Sequence, residues 1–410
     1  MALMNSVAAT GHTVADEISA MEMLAGFGLD VHPERCVRLR NRHSRCSRCA
    51  DACTSGAIRL EEGAWHLSPE VCVGCGTCAT VCPTCALEAR HPADAELLRH
   101  AKASAAANGG VAVFACERVV EAFRQAGCGA EAGSMARVIC LSRLEETLIY
   151  TLVAAGIRSI RALCADCENC PRKQGRVSVE MVAATVGTIA NAWGADLDYT
   201  VTAVELPTMG EDACSMGGER PALAAVAADA RPASTPDFAA DTRGGSLVQH
   251  PSGGIEAVYK PVHVQKDGTL PHFVPERRRR LLDALETLGE PAADTLDTRL
   301  WGHVIIDFSR CMSCKMCAVF CPTGAICKYT DEHGVAGIEH YVAECVHCCL
   351  CRDVCPGHAI SCVTEVPARQ LANGETERYP MADPDWSAGP DQILQRMRVK
   401  IGGNSVEHSY

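Results

Sequence analysis

Short apolar runs alternate with amphipathic helical patterns between residues 93 and 205. The apolar runs, which predict β-strands, cover 111–115, 137–141, 157–163 and 199–204. The helical patterns cover 118–125, 144–155 and 177–193. Strands that alternate with helices are typical of a parallel sheet with helices packed on its faces. The pattern therefore predicts a central α/β domain.

The other segments have different patterns. A short amphipathic helix is predicted at 14–29 and another helix at 276–288, where the basic run 277–280 forms the polar start of a packed helix. Residues 206–275 lose periodicity and are rich in Ala, Pro, Gly and Asp, which indicates a linker or arm. We expect an N-terminal helical segment (1–29), a small α+β module (30–92), the α/β domain (93–205), a linker with a helix (206–299), a second α+β module (300–365) and an irregular tail (366–410).

Composition restricts the class of protein. The chain has 410 residues and a formal net charge of −12, which argues against broad nucleic-acid binding. No stretch approaches the roughly 20 apolar residues of a membrane span. The first 30 residues contain no Lys or Arg and no cleavable apolar core. We therefore expect a cytoplasmic protein.

Cysteine spacing carries the chemical signal. The run Cys-x2-Cys-x2-Cys-x3-Cys-Pro occurs three times, and a stretched run without the proline precedes the first copy. The regular runs are Cys72, Cys75, Cys78 and Cys82; Cys311, Cys314, Cys317 and Cys321; and Cys345, Cys348, Cys351 and Cys355. The stretched run is Cys36, Cys46, Cys49 and Cys53. Such runs bind iron–sulfur clusters, which predicts two close pairs of clusters, one near each end of the chain.

Other interpretations of these cysteines fit less well. Structural zinc uses two Cys pairs and gives no reason for a third Cys or for the following Pro. Disulfides are typical of short secreted chains, whereas this chain is long and its 27 cysteines are an odd number. Cys78, Cys82 and Cys85 have the spacing of the radical S-adenosylmethionine signature, but two of them belong to the regular runs. We interpret that match as coincidence.

The four runs resemble those of two-cluster bacterial ferredoxins, in which the fourth Cys of each run ligates the neighbouring cluster. The resemblance implies four 4Fe-4S clusters. It groups Cys72, Cys75 and Cys78 with Cys53; Cys36, Cys46 and Cys49 with Cys82; Cys311, Cys314 and Cys317 with Cys355; and Cys345, Cys348 and Cys351 with Cys321. The proline after the fourth Cys ends the local turn.

Five of the six cysteines in the central domain lie at or near the ends of predicted strands. Cys116 and Cys140 terminate predicted strands, Cys164 directly follows one, and Cys167 and Cys170 come shortly after Cys164. Since the carboxyl ends of parallel strands share one sheet edge, these thiols could converge there. About 70 residues resemble the delta-subunit domain of methyl-viologen-reducing hydrogenases, whose four cysteines hold a 2Fe-2S cluster. The matching positions are Cys116, Cys140, Cys164 and either Cys167 or Cys170. A 4Fe-4S cluster on Cys164, Cys167, Cys170 and one remote Cys, or no metal, are the alternatives.

Several other residues have a plain interpretation beside a functional one. Six arginines surround the stretched run: Arg35, Arg38, Arg40, Arg42, Arg45 and Arg48. Their positive charge would raise the reduction potential of the cluster or dock an acidic subunit. The plain interpretation is that they form a solvated basic loop. The remaining cysteines are expected to be buried thiols: Cys85, Cys128, Cys214, Cys327, Cys349 and Cys362.

Function is predicted to be transfer of single electrons. The sequence has no glycine fingerprint for a flavin or nicotinamide, no Walker loop and no Ser, His, Asp arrangement, so no catalytic residue is predicted. We expect an anaerobic, multisubunit oxidoreductase whose catalytic and flavin-bearing subunits are the partners of this chain. The resemblance points to hydrogenase and heterodisulfide-reductase complexes; a molybdenum or tungsten enzyme is an alternative. An enzyme using an open-site central cluster and a redox sensor are the other hypotheses.

Overall fold

The computed structural model describes residues 28–61, 64–207 and 270–381. Most of the predicted N-terminal helix, the predicted linker up to residue 269, and the last part of the tail lie outside these ranges. Leu29, which the helix prediction included, instead begins a strand. None of the described helices is both long and apolar enough to cross a membrane.

The N-terminal module contains two copies of a strand, a cysteine loop, a short helix and a second strand. In chain order its elements are β1 (Leu29–Val31), α1 (Val37–Arg40), α2 (Arg48–Asp51), β2 (Ile58–Glu61), β3 (Ala64–Leu67), α3 (Thr77–Val81) and β4 (Leu87–Ala89). Strand β1 pairs antiparallel with β4, and β2 pairs antiparallel with β3. Cysteines make up much of its core beside a few aliphatic side chains. The module therefore has little apolar area of its own to bury.

The central region contains a four-stranded parallel sheet. Its elements are α4 (Asp94–Ala107), β5 (Val111–Cys116), α5 (Glu117–Gln125), α6 (Gly129–Gly133), β6 (Ala136–Val138), α7 (Glu146–Ala154), β7 (Ser159–Cys164), α8 (Gln174–Trp193) and β8 (Asp198–Ala203). The strand order is β6-β5-β7-β8, with every pair parallel. Phe114 on β5 and Ile160 on β7 are fully buried beneath the helices. The prediction of a parallel sheet is confirmed. The predicted strand 137–141 ends earlier, because Leu141–Arg143 forms a 3-10 turn.

The C-terminal module repeats the arrangement of the first and extends it. Its elements are α9 (Glu276–Glu286), β9 (Thr295–Asp297), β10 (His303–Ile306), α10 (Met316–Phe320), β11 (Ile326–Thr330), β12 (Ala336–Tyr341), α11 (Leu350–Asp353), β13 (Ile360–Val363), β14 (Glu365–Pro367), α12 (Ala368–Asn373) and β15 (Thr376–Pro380). Strands β10 and β13 pair as β1 and β4 do, and β11 and β12 pair as β2 and β3 do.

Residues 366–381 differ from the predicted irregular tail. They form helix α12 and strand β15, and β15 adds a third strand beside β12. The hydroxyl of Tyr379 donates a hydrogen bond to the Val304 carbonyl at 2.7 Å. Met381 is buried in the core of the module. These contacts fix the segment because they satisfy strand edges and cover apolar side chains that would otherwise face water.

Helix α9 joins the central sheet to both modules. It packs on α7, and Leu281 and Leu285 belong to the same core as the buried indole of Trp301. Arg280 of α9 and Arg143 both contact the carboxylate of Asp94. Burial would raise the pKa of Asp94, but these two guanidinium groups outweigh it and lower the pKa to about 2. The carboxylate therefore stays ionised and holds α9, α4 and the 141–143 turn together.

Replacing Asp94 by Asn should destabilise this junction. Arg143, whose side chain is 6% exposed, would lose its ionic partner, and we expect a loss of about 1–3 kcal/mol. The matched control is Asp198→Asn, because Asp198 pairs with Arg161 at the surface and should contribute less than about 1 kcal/mol. Urea unfolding followed by tryptophan fluorescence measures both. Equal midpoints for the two variants would contradict this role of Asp94.

Candidate metal centres

The three regular cysteine runs form loops with the same backbone shape. In each loop the residues immediately before and after the second cysteine have positive φ: Gly74, Gly76, Ser313, Lys315, His347 and Cys349. A residue other than glycine pays roughly 1–2 kcal/mol for this conformation. Four such residues keep it here, with φ between 50° and 59°. Strain of this kind persists where surrounding structure determines it, commonly at ligand sites.

A second shared feature follows the fourth cysteine. The third residue after it has positive φ in all four runs: Gly56, Cys85, Gly324 and His358. In the regular runs a backbone N–H then donates a hydrogen bond to the fourth cysteine's Sγ, from Ala86 to Cys82 at 3.2 Å, from Ile326 to Cys321 at 3.4 Å and from Ala359 to Cys355 at 3.3 Å. Such bonds stabilise a thiolate and tune cluster potentials. Because the stretched run has the same turn at Gly56, it is a fourth copy of the same unit.

The structure brings the sixteen cysteines of these runs together in four groups. Site A is formed by Cys53, Cys72, Cys75 and Cys78, site B by Cys36, Cys46, Cys49 and Cys82, and site D by Cys311, Cys314, Cys317 and Cys355; each group lines one cavity. Site C is formed by Cys321, Cys345, Cys348 and Cys351, which lie close together in the C-terminal module. In each group three cysteines come from one run and the fourth comes from the partner run. This grouping is the one that the resemblance to two-cluster ferredoxins implies.

The thiols of these sites are costly to ionise without a bound cation. Burial raises the pKa of Cys36 to about 12. Burial likewise raises the pKa of Cys345 to about 12, and the neighbouring Cys321 thiolate adds to this rise. Iron ions would supply the positive charge that makes four adjacent thiolates stable, since a coordinated thiol loses its proton. The donor set therefore fits iron–sulfur clusters. Among the described residues no three His, Cys, Asp or Glu side chains are spaced to hold a single metal ion.

A fifth cysteine group lies at the carboxyl edge of the parallel sheet. Cys116 and Cys164 are the last residues of β5 and β7, and Cys140 follows β6 by two residues. Together with Cys167 and Cys170 they line one cavity, which we call the central site. Burial raises the pKa of Cys167 to about 12, and the nearby Cys164, Cys140 and Cys116 raise it further. Cys167 is therefore close to all three strand-end cysteines.

Two residues that the sequence analysis did not single out shape the central site. Gly175 lies in the first turn of α8, and a Cβ added there would stand 2.2 Å from the Cys140 Sγ. Arg176 donates a hydrogen bond from Nη1 to the Cys164 Sγ at 3.1 Å. Arg118 and Arg172 line the same cavity. The Cys140 thiol can therefore occupy its position only because residue 175 has no side chain. Three arginines line the cavity and bring positive charge to it.

The central site contacts site A directly. Ser142 donates a hydrogen bond from its hydroxyl to the Cys75 carbonyl at 2.7 Å, and Arg172 donates from Nε to the Val73 carbonyl at 2.9 Å. Ile139 lines both cavities. Burial raises the pKa of Cys140, and the Cys75 thiolate raises it further. Only the 139–142 segment and the cysteine loop therefore separate the two sites.

Site B contacts site C across the two modules. Arg48 donates a hydrogen bond to the His347 carbonyl at 2.8 Å, and the backbone N–H of Arg45 donates to the Asp353 carboxylate at 2.8 Å. Cys46 of site B and Cys348 of site C pack on one apolar cluster: Val37, Leu270, Val319, Phe320, Leu350 and Val354. Within each module, sites A and B and sites C and D exchange their fourth cysteine. The five sites therefore follow the order central, A, B, C, D.

The arginines around the stretched run contribute to this junction. Arg35 lies 3.8 Å from the Phe273 ring and pairs with Glu88 at 2.9 Å, and Arg40 donates to the Pro271 carbonyl at 2.8 Å. Arg38 donates to the Ser44 carbonyl at 2.6 Å. Arg42 and Arg45 are exposed. Most of the loop is therefore packed, so a uniformly solvated basic loop does not describe it.

The remaining cysteines differ from one another. Cys85 is a buried thiol, as expected, whereas Cys327, Cys349 and Cys362 are half-buried thiols. Cys128 is buried but disulfide-bonded, so the expectation of a free thiol there is wrong. The Cys362 Sγ lies 3.5 Å from the Cys351 Sγ. Cys214 falls outside the described residues. Cys78 and Cys82 belong to different sites, which agrees with the interpretation that their radical S-adenosylmethionine spacing is coincidental.

Comparison with known families identifies two parts of the chain. Residues 43–86 match the 4Fe-4S dicluster domain, and residues 304–327 match the 4Fe-4S binding domain. No solved structure matches the chain. Ferredoxin-type iron–sulfur domains are therefore present near both ends, and neither match extends into the central sheet.

Relatives resemble short parts of the chain. It is 39% identical over 61 residues to the pyruvate synthase subunit PorD of Methanocaldococcus jannaschii, covering 15% of this chain and 66% of the relative. It is 40% identical over 45 residues to one subunit of the ion-translocating oxidoreductase complex of Methanosarcina acetivorans, covering 11% and 17%. It is 45% identical over 40 residues to the electron transport protein HydN of Escherichia coli, covering 10% and 23%. The chain spans less than two thirds of each relative, and the matches support a general role in electron transfer within oxidoreductases.

Proposed function

We propose that this chain is an electron-transfer subunit in which four 4Fe-4S clusters and a fifth, central cluster form one unbranched path. The observation that carries the proposal is the order of contacts: the central site touches site A, and site B touches site C through shared side chains. Electron tunnelling falls steeply with distance, so a chain of adjacent sites favours transfer along it. A set of isolated structural clusters would need no such order.

The sixteen cysteines of sites A to D are proposed to ligate the four clusters. When bound, each cluster supplies a centre that gains and loses one electron at a time. The protein would hold each cluster between two loops, and it donates backbone hydrogen bonds to the ligand sulfurs of Cys82, Cys321 and Cys355. No exchangeable ligand position is left when all four thiolates bind, so these sites transfer electrons without holding substrate.

The central site is proposed to hold a fifth cluster on Cys116, Cys140, Cys164 and Cys167. This assignment follows the resemblance to the hydrogenase delta domain and favours a 2Fe-2S cluster. Cys167 is preferred over Cys170 because its thiol is affected by all three strand-end cysteines. A 4Fe-4S cluster that includes Cys170 is the competing assignment, since Cys170 lines the same cavity.

The partners are proposed to be catalytic and flavin-bearing redox subunits of a cytoplasmic hetero-oligomer. PorD is named as a pyruvate synthase subunit, and the second relative belongs by name to an ion-translocating oxidoreductase complex. The central domain's resemblance favours a complex of the hydrogenase and heterodisulfide-reductase type. The competing function is an enzyme that works alone. The central site supports it, because five cysteines line a cavity where a cluster needs only four ligands. Turnover of an organic substrate by the isolated chain with reduced viologen would favour that alternative.

Iron and sulfide quantification tests the number of clusters. Four cubes and a two-iron central cluster predict about 18 irons per chain, whereas four cubes alone predict about 16. The measurement uses the full chain purified without oxygen, with the iron counted against protein concentration from amino-acid analysis. About 8 irons would contradict the proposal of two complete cluster pairs.

Gly175→Ala should remove only the central cluster. The added methyl group would overlap the Cys140 Sγ, so that thiol could not keep its position. Gly187→Ala is the matched control, because it lies on the exposed side of α8 with no atom near the added Cβ. We expect the first variant to lose about two irons and the second to keep them all. Unchanged iron and unchanged electron paramagnetic resonance spectra in Gly175→Ala would count against the central site.

Comparison of Cys167→Ser with Cys170→Ser tests the fourth ligand. Cys167→Ser should abolish the central cluster's paramagnetic signal, whereas Cys170→Ser should retain it, since Cys170 is proposed not to ligate. The signals of the other four clusters serve as the internal control in both proteins. The opposite result would assign Cys170 as the ligand.

A further inference from the structure

Two buried arginines lie beside site C, and both come from outside its cysteine loops. Arg278 lines one cavity with Val346, the neighbour of Cys345. Arg40 donates to the Pro271 carbonyl, and the next residue, His272, lies 3.0 Å from the Cys321 carbonyl. Arg278 lies in α9 and is 7% exposed, and Arg40 lies in α1 of the N-terminal module and is 8% exposed. Arg40 belongs to the insertion that stretches the first run, between Cys36 and Cys46. The lengthened loop therefore carries a cation from one module to the cysteines of the other.

Neither guanidinium has a carboxylate within 4 Å among the described residues. Arg278 donates to the Leu300 carbonyl and lies 4.6 Å from the Trp301 ring centroid, while its buried Nη1 has no hydrogen-bond partner. Arg40 donates to the Glu34 carbonyl at 3.1 Å and to the Pro271 carbonyl, and its buried Nε has none. A buried charge without an ionic partner is strongly unfavourable.

Neighbouring arginines have such partners. The Arg299 Nη2 donates to both carboxylate oxygens of Glu146 at 2.6 and 2.8 Å, and Arg277 lies 3.6 Å from the Glu145 carboxylate. Carboxylates are therefore present in this region, yet Arg278 and Arg40 do not use them. Glu34 and Glu146 act on Arg40 and Arg278 only at longer range, and their influence is weaker than that of the site C cysteines.

As ligands of a cluster, the cysteines of site C would be the anionic groups that oppose the cost of burial. Burial lowers the pKa of Arg278 to about 10, and the Cys345 thiolate is the largest influence in the opposite direction. Burial also lowers the pKa of Arg40, against which Cys321 and Cys348 act most strongly. All three cysteines belong to site C, so both cations face the same group of thiolates.

We propose that Arg40 and Arg278 are tuning residues that raise the reduction potential of the cluster at site C. The proposal rests on the proposed function, because it requires a cluster at that site. A cluster gains one negative charge on reduction, and a fixed cation in a poorly solvated position stabilises the reduced form more than the oxidised form. Because Arg40 comes from the other module, the potential of site C also depends on the junction between the modules.

The test is an anaerobic redox titration followed by electron paramagnetic resonance, with Arg278→Gln, Arg40→Gln and the control Arg279→Gln. Arg279 neighbours Arg278 on the same helix and is exposed. The site C signal is identified as the one lost in Cys348→Ser. At the wild-type midpoint of site C, each of the first two variants should lower the ratio of reduced to oxidised cluster at least tenfold, a shift of about 59 mV for one electron. The control and the other sites should keep their wild-type ratios.

Lysine variants separate charge from packing. Arg278→Lys and Arg40→Lys keep the positive charge and should stay close to the wild-type ratio. The proposal is overturned if the glutamine variants keep their iron and titrate as wild type, or if lysine shifts the ratio as far as glutamine does. Should Arg278→Gln not hold its iron, Arg40→Gln decides alone. If Cys348→Ser loses no signal, the cluster assignment fails instead, which is a distinct outcome.

Discussion

The convergence of buried thiols from two separate loops is the constraint on which the rest of the structure depends. Each of sites A to D takes three cysteines from one run and the fourth from its partner run, so neither run completes a site alone. The surrounding cores are small and rich in cysteine, and burial raises the pKa of several of these thiols. Iron at these sites would link the two halves of each module. Their folding and their redox function would then share one set of residues.

Contacts between the modules set the order of the sites along the proposed electron path. The 139–142 segment and the Cys72 loop place the central site beside site A, and the Arg45 and Arg48 contacts place site B beside site C. Helix α9 supports this arrangement from one side through Asp94 and Trp301. The stretched first run has a physical purpose in this account, because its insertion supplies both the apolar contact of Val37 and the cation of Arg40 to the neighbouring module.

Local patterns predicted much of the fold. Alternating apolar runs and helices indicated the parallel sheet. Cysteine spacing indicated the four runs, and the resemblance to two-cluster ferredoxins implied which four cysteines belong to each of sites A to D. Strand β15 was missed because composition near residue 376 resembles a loop, although Tyr379 within it is half-buried and Met381 directly after it is buried. Gly175, Arg40 and Arg278 could not be identified from sequence, since their importance arises from groups far away in the chain. Gly175 lies before the predicted helix 177–193, so its place in the first turn of α8 became visible only in the structure.

Intramolecular electron transfer between the two ends of the path tests the central claim most directly. A photoreductant attached at Met312→Cys would inject electrons beside site D, since Met312 lines that cavity and is 47% exposed. Rapid freezing with electron paramagnetic resonance then follows reduction of the central site. The account predicts rapid arrival there in the otherwise unchanged protein and loss of this transfer when Cys46→Ser removes the cluster at site B. Equally fast reduction of the central site in the Cys46→Ser protein would contradict a single path through all five sites.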